Sequence, residues 1–338
     1  NAALSELVGQ ARLIPNLELI IRALARREAV LSSRMEGTHT QILEVLVQEA
    51  MGGSPPAEDT DLHEVLNYLA TVELAVQWFA EGRTLGLPLV KDLHARLILG
   101  VRGQDKNPGG LRMEDVYIGQ RADGFERARF VPPPMEHVPA LMDDLMAFIQ
   151  QPAPVEPLIA SAIAHYQFET IHPFEDGNGR LGRLLVPIQL MAAGIIDRPL
   201  LYVAPFLEAH SDAYREGLLS LSQTGNWAAW LLFFLEAIRA SARDALGRVQ
   251  RTMDLHAEYR RRLLSQSNSK FALPALDIVF EQVIVSAPRL RERLGVAAPT
   301  AKSLIDDFVR LGIVIPWSRM RGTQLWIAQE LRDQIYED

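Results

Sequence analysis

The sequence predicts a mostly α-helical protein with one short β-hairpin near its middle and a winged helix-turn-helix pattern at its end. Three observations carry that reading. Apolar residues recur at helical spacing through most of the chain, as in Leu17, Ile20, Ile21 and Leu24. The spacing stops across 103–134, where Gly and Pro collect around the alternating piece Val116-Tyr117-Ile118. Beyond a polar run at Ser265-Gln266-Ser267-Asn268-Ser269, the order is helix, turn, helix and two strand-like pieces with a basic tip.

Taken in order, residues 1–50 are rich in Ala, Leu, Glu and Arg, and Gly37-Thr38-His39-Thr40 interrupts their helical pattern. A second helix is expected from Gln41 to Met51, ended by the loop Gly52-Gly53-Ser54-Pro55-Pro56. Periodicity resumes over Asp61–Glu81 and Leu89–Ile98. After the hairpin region, helices are expected over Met135–Ile149 and Glu156–Thr170, then Arg180–Ala193, broken by Gly194. His210–Ala245 reads as helical, with Trp227, Trp230, Phe233 and Phe234 as core bulk. The polar run at 265–269 marks the best boundary. Past it come Leu290–Leu294, a helix over Thr300–Leu311, and strands at Ile313–Trp317 and Gln324–Ile327.

At 338 residues the chain implies two or three domains, and its 48% apolar and 22% charged content is ordinary for a globular protein. A net charge of −8 argues against broad, nonspecific nucleic-acid binding. The absence of cysteine excludes disulfides, zinc-thiolate sites and thiol nucleophiles. No apolar run approaches the roughly 20 residues that span a bilayer, so no membrane role is expected. No signal peptide is visible, although the chain starts at Asn1 rather than Met and an upstream segment stays open. The expected location is cytoplasmic.

The most informative stretch is His172-Pro173-Phe174-Glu175-Asp176-Gly177-Asn178-Gly179-Arg180-Leu181-Gly182-Arg183. His172 ionises near neutrality in its ordinary state, about pKa 6.5, and suits a general base; alternatively it ends a helix and bonds locally. Asp176 is an oxygen ligand of the kind Mg²⁺ takes beside phosphates, or a cap for the next helix. Gly177-Asn178-Gly179 is either a plain turn or a cradle of backbone N–H groups that a helix start reinforces for anions. Arg180 and Arg183, at i and i+3, share a helix face and offer planar forks to phosphate oxygens.

This string resembles the signature of the Fic family, His-x-Phe-x-Asp-Gly-Asn-Gly-Arg-x-x-Arg, at every specified position. The resemblance implies a helical core that transfers AMP from ATP, with Mg²⁺, to a hydroxyl of a target protein. It implies His172 as the base, Asp176 as the metal ligand, and Phe174 as the buried anchor of the loop. Gly177, Asn178 and Gly179 become the phosphate cradle, with Asn178 on the α-phosphate, and Arg180 and Arg183 serve the β- and γ-phosphates. Residues 116–132 become a flap that pairs with an extended piece of the target by strand addition. Tyr202, Glu208, Tyr214 and Asn226-Trp227 fall where relatives close the adenine pocket, although a core role suits those aromatics as well. The implied division is an N-terminal helical region over 1–85, a Fic catalytic domain over 86–245, a helix end and linker over 246–269, and a winged helix over 270–338.

Ser32-Ser33-Arg34-Met35-Glu36-Gly37 is similar to a second pattern of the family, Ser/Thr-x-x-x-Glu-Gly/Asn, borne on an inhibitory helix. Ser32 and Glu36 share a face at i and i+4, and the resemblance pairs Glu36 with Arg183 in place of the γ-phosphate. Such a pair is worth roughly 4 kcal/mol at about 4 Å and an effective dielectric near 20, before desolvation. Two other readings stay open. Some relatives remove AMP at the same site, a role Glu36 would serve by positioning water. Alternatively the core is a sensor for a DNA-binding regulator: 288–327 holds seven Lys/Arg against three acids, with Arg319 and Arg321 in the wing. Self-modification and a homodimer are both compatible with the pattern.

Overall fold

The computed structural model describes residues 2–12, 17–119, 125–151 and 155–337. Its helices are α1 (Ala2–Ala11), α2 (Glu18–Arg34), α3 (Ile42–Met51), α4 (Thr60–Ala80), α5 (Leu87–Leu97), α6 (Val138–Gln150), α7 (Pro157–Ile171) and α8 (Asn178–Ala192). There follow α9 (Ala204–Ala209), α10 (Ser211–Thr224), α11 (Trp227–Gln266), α12 (Ala272–Gln282), α13 (Ala287–Leu294), α14 (Ala298–Arg310) and α15 (Gln329–Tyr336). Strands β1 (Ile284–Val285), β2 (Ile315–Met320) and β3 (Thr323–Ile327) form one antiparallel sheet in the order β1-β3-β2. Among the described residues no helix is long and apolar enough to cross a membrane.

Two apolar cores organise the chain. The larger takes the inward faces of α1, α2, α4 to α8 and the first half of α11, with Tyr68, Phe168, Phe174, Trp230 and Phe234 fully buried. The smaller lies around α12, α14 and the sheet, with Phe280, Phe308, Leu325 and Ile327 at its centre. It also takes Ala23 from α2 and Leu46 and Ala50 from α3, so the N-terminal region helps to close it. Helix α11, at 40 residues and about 60 Å long, belongs to both cores.

The structure redraws the helix expected over His210–Ala245. Gly225 ends α10, and the Asn226 side chain accepts from the N–H of Ala229 at 3.2 Å to start α11. Helix α11 then runs through Ala245 to Gln266, because Leu255, Tyr259 and Leu263 are drawn into the second core. Residues 246–266 are therefore helix packed on both cores, and only the short break before α12 matches a linker. Helix α15 and strand β1 carried no sequence signal: β1 has two residues and α15 eight.

The hairpin expectation rests on one described bridge, Ile118 to Phe130, made by N–H to O contacts of 2.8 and 3.1 Å. Its turn, 120–124, lies outside the described residues.

Candidate active site

Helix α7 delivers His172. Its last turn closes with the His172 N–H on the Phe168 carbonyl at 3.0 Å, and His172 itself is left-handed, with φ +48°. That conformation costs a non-glycine residue about 1 kcal/mol or more and needs external support. Arg112 supplies it. Its buried guanidinium donates to the main-chain carbonyls of His172 and Glu114, each at 3.0 Å, and to that of Pro133. The base of the hairpin and the turn that aims His172 are thus one unit.

The loop after His172 is closed by its own side chains. Phe174 is fully buried and stacks on His94, the ring centroids 3.8 Å apart. The Nδ1 of His94 accepts from the Gly109 N–H at 2.9 Å, so its Nε2 donates to the Asp176 carbonyl at 2.9 Å. Asn178 accepts from the Phe174 N–H at 2.9 Å and donates to the Phe174 carbonyl at 2.7 Å. One bond at each end of the Asn178 amide thus spans the loop. What remains for an anion is the N-terminus of α8, with the main-chain N–H groups of its first residues.

The two arginines meet different acids. Arg183 is engaged by the end of α2 and the turn after it: its Nε donates to Ser32 Oγ and an Nη to Ser32 O, both at 2.8 Å, and the same Nη to Glu36 Oε1 at 2.6 Å. Helix α2 ends at Arg34, so Glu36 sits in the following turn rather than on the helix. Gly37, with φ +96°, permits that turn, which Thr38 seals by donating to the Ser33 carbonyl at 3.2 Å. The Glu36 carboxylate lies directly over Gly179, where an added Cβ would meet Oε1 at 2.3 Å. Arg180 instead donates to Glu64 of α4 at 2.6 Å, both side chains almost wholly buried.

Asp176 has one oxygen on the Gly177 N–H at 2.7 Å and the other 3.8 Å from Lys106 Nζ. It lines an open cleft with Glu36, Arg102 and Lys106. Among the described residues no three acids or histidines converge as a metal cage. A single carboxylate beside an anion site fits Mg²⁺ that arrives with phosphates, and not a stand-alone metal centre.

A second cleft, of about 220 Å³, is lined by Glu36, Ile118, Phe130, Glu169, His172, Gly179, Arg183 and Tyr214. Glu36 borders both clefts and stands between them. Of the residues assigned to an adenine pocket, Tyr214 lines this space, its hydroxyl on His165 Nε2 at 2.9 Å. Tyr202 does not. It is buried in the main core near Glu28, because its segment, 200–203, leads into α9 through apolar surroundings. Glu208 faces Arg34 at 3.6 Å, and Trp227 packs edge-on against Tyr166.

Burial pushes His172 down to about 4, against the pull of Glu36, so its imidazole is neutral and able to accept a proton at neutral pH. Burial would push Glu36 up, but the adjoining Arg183 brings it below its ordinary value. Burial also raises Glu169, at the cleft wall, to about 7. Glu64, His94 and Glu169 went unnoticed in the sequence because only the fold brings them to the motif.

Residues 84–190 match the Fic/DOC family, and residues 1–77 match the Fic/DOC family N-terminal region. Together these segments span more than half of the chain. It belongs to the Fic/DOC family. A probable protein adenylyltransferase of Aquifex aeolicus is 36% identical over 90 residues, 27% of this chain and 26% of that protein. Protein adenylyltransferase fic-1 of Caenorhabditis elegans is 32% identical over 107 residues, 31% of this chain and 19% of that protein. The chain thus matches about a fifth to a quarter of the length of these relatives. A Fic family protein from Desulfovibrio desulfuricans shares the fold with a TM-score of 0.59 at 23% identity, over 96% of this chain and 94% of that one. The likeness of fold to that protein therefore extends into the C-terminal unit.

Proposed function

We propose that this Fic protein is a protein adenylyltransferase that moves AMP from ATP to a hydroxyl of a target protein and is held back by Glu36. One observation carries the reading. The carboxylate of Glu36 occupies an anion site, over Gly179 at the start of α8 and on Arg183, in the same cleft as a neutral His172. The names of the relatives support adenylyl transfer as the reaction.

In this reading the nucleotide lies along α8 with its α-phosphorus facing His172. His172 takes the proton from the target hydroxyl, whose oxygen bonds to the α-phosphorus while the bond to the bridging oxygen breaks and pyrophosphate leaves. Arg180 and Arg183 hold the charge that develops on the departing phosphates. Asp176 would hold Mg²⁺, which shields the phosphate charges. Ile118 and Phe130, on the cleft wall, pair with each other, so the outward main-chain groups of their neighbours in the flap would take an extended segment of the target. Arg183 cannot serve both Glu36 and a phosphate, so the resting chain is restrained. Glu36 lies beyond the last residue of α2, and 35% of its side chain is exposed.

Incubation with α-labelled ATP and Mg²⁺ tests this. Glu36→Gly is expected to raise label incorporation about tenfold or more, the scale of one lost ion pair. His172→Ala in that background is expected to abolish it. Equal labelling with and without His172 would remove the base. Release of AMP from a modified target, faster with Glu36 than without, would instead favour the reverse use of the site.

DNA binding through 288–327 would fall chiefly to the wing, where Arg319 and Arg321 are exposed. Arg289, Arg293, Lys302 and Arg310 are each paired with an acid, Glu292, Glu281, Asp306 and Asp307 in turn.

A further inference from the structure

Arg180 and Arg183 leave the same helix face, and each meets a glutamate from the N-terminal region, but the two pairings differ in kind. Glu36 and Ser32 together engage the Nε and one Nη of Arg183, the donors a phosphate would need. Glu64 engages only Nη1 of Arg180, at 2.6 Å. The Nε and Nη2 of Arg180 are buried without a hydrogen-bond partner, and Nη2 lies 3.6 Å from Asp176 Oδ1, toward the cleft that Asp176 lines. Glu64 is 2% exposed and Arg180 not at all, so neither exchanges freely with water. Leaving two donors of a buried guanidinium unmade is costly unless something else accepts them.

We propose that Glu64 is a positioning residue: it anchors one end of Arg180 so that Nε and Nη2 stay aimed at the phosphates beyond the α-phosphate of a bound nucleoside triphosphate. Glu36 competes with the nucleotide; Glu64 does not. A fixed guanidinium loses no rotamer freedom when the phosphate arrives, and its two remaining donors match a bidentate acceptor. Arg102 completes the arrangement. It donates to Glu64 Oε2 at 3.3 Å and to the main-chain carbonyl of Glu36 at 3.1 Å. The carboxylate therefore stays shared between two cations and does not draw Arg180 out of the site.

The inference rests on the adenylyl-transfer reading, and its test separates the two. Starting from the Glu36→Gly chain, affinity for Mg²⁺-ATP and for AMP is measured by calorimetry, alone and with Glu64→Ala or Glu64→Gln. Both Glu64 variants are expected to weaken ATP by about tenfold, the scale of one charge-assisted contact, and AMP by less than about twofold, because AMP lacks the phosphates that Arg180 addresses. A KM for ATP raised by the same factor at nearly constant kcat is expected alongside. If Glu64→Ala does not fold, Glu64→Gln carries the test alone, and unchanged ATP affinity in the folded variant overturns the proposal. Equal weakening of ATP and AMP also overturns it, since that marks a general structural role. Failure of the Glu36→Gly chain itself to bind either nucleotide would refute the adenylyl-transfer reading, and this proposal with it.

Discussion

Gly179 shows how one atom's space can decide what a site holds. An added Cβ there would stand 2.3 Å from Glu36 Oε1 and 3.0 Å from Arg183 Nη1. Glu36 sits on a flexible side chain and would give way, but a phosphate using the same N-terminus would meet the same methyl. Gly179→Ala is therefore expected to loosen the brake without raising AMP transfer. In the Glu36→Gly background it should weaken ATP by about tenfold in calorimetry, a loss comparable to one charge-assisted hydrogen bond. His172 sets a second expectation. Its pKa, pushed by burial to about 4, places the acid limb of kcat/KM for AMP transfer well below the ordinary histidine value. Because Glu36 raises that pKa, Glu36→Gly should move the limb lower still; a limb near 6.5 in both chains would show an exposed base.

Helix α2 illustrates what an element does that its residues cannot do singly. It carries Ser32 toward Arg183, and one turn earlier it buries Glu28, which accepts from Tyr68 of α4 at 3.0 Å and from the N–H of Ala204 at the start of α9 at 2.9 Å. Burial raises Glu28 to about 7. A carboxyl raised in the folded state contributes stability that is complete below its unfolded value, near 4.5, and lost as pH climbs through 7. Between those limits Glu28 should cost the parent up to about 3 kcal/mol relative to Glu28→Gln. Burial holds His94, His165 and His172 at about 4, 3 and 4, and their contributions run the opposite way over part of that range. The difference in Tm between variant and parent, followed from pH 4.5 to 7, isolates Glu28. A constant difference would mean that the carboxyl ionises freely.

The same helix explains which parts of the site were legible in the sequence. His172 to Arg183 could be read directly because their chemistry is contiguous, and Ser32 with Glu36 because the six-residue run that holds them resembles a second family pattern. Glu64 meets Arg180 across 116 positions and His94 meets Asp176 across 82, distances at which no local pattern survives. The loop-closing part of Asn178 was hidden for a different reason: its side chain can bond loop or ligand equally well, and only packing shows its bonds to Phe174. Helix α11 was cut short because its second half is apolar toward a core that its own segment does not reveal.

At the scale of the molecule, the helix that carries the proposed brake, α2, is fastened both at its end and at its middle. Its C-terminal end holds Arg183; at its middle, Arg26 is fully buried and donates to the Glu281 carbonyl of α12 at 2.7 Å while pairing with Glu49 of α3 at 2.5 Å. Ala23, one turn earlier, is part of the C-terminal core. Any shift of that core relative to the catalytic helices must therefore pull on the helix that presents Ser32 and Glu36. Breaking a buried ion pair from one side costs on the order of 3 kcal/mol, since it leaves the other charge uncompensated. Arg26→Ala is expected to lower Tm and, in the chain that retains Glu36, to raise AMP incorporation as α2 loosens. In the Glu36→Gly chain, where no brake is left to release, the same substitution should lower Tm equally and leave incorporation unchanged. That non-additivity in activity, beside additivity in stability, is the signature of coupling through α2. Equal effects on incorporation in both backgrounds would show that the C-terminal unit only stabilises the fold.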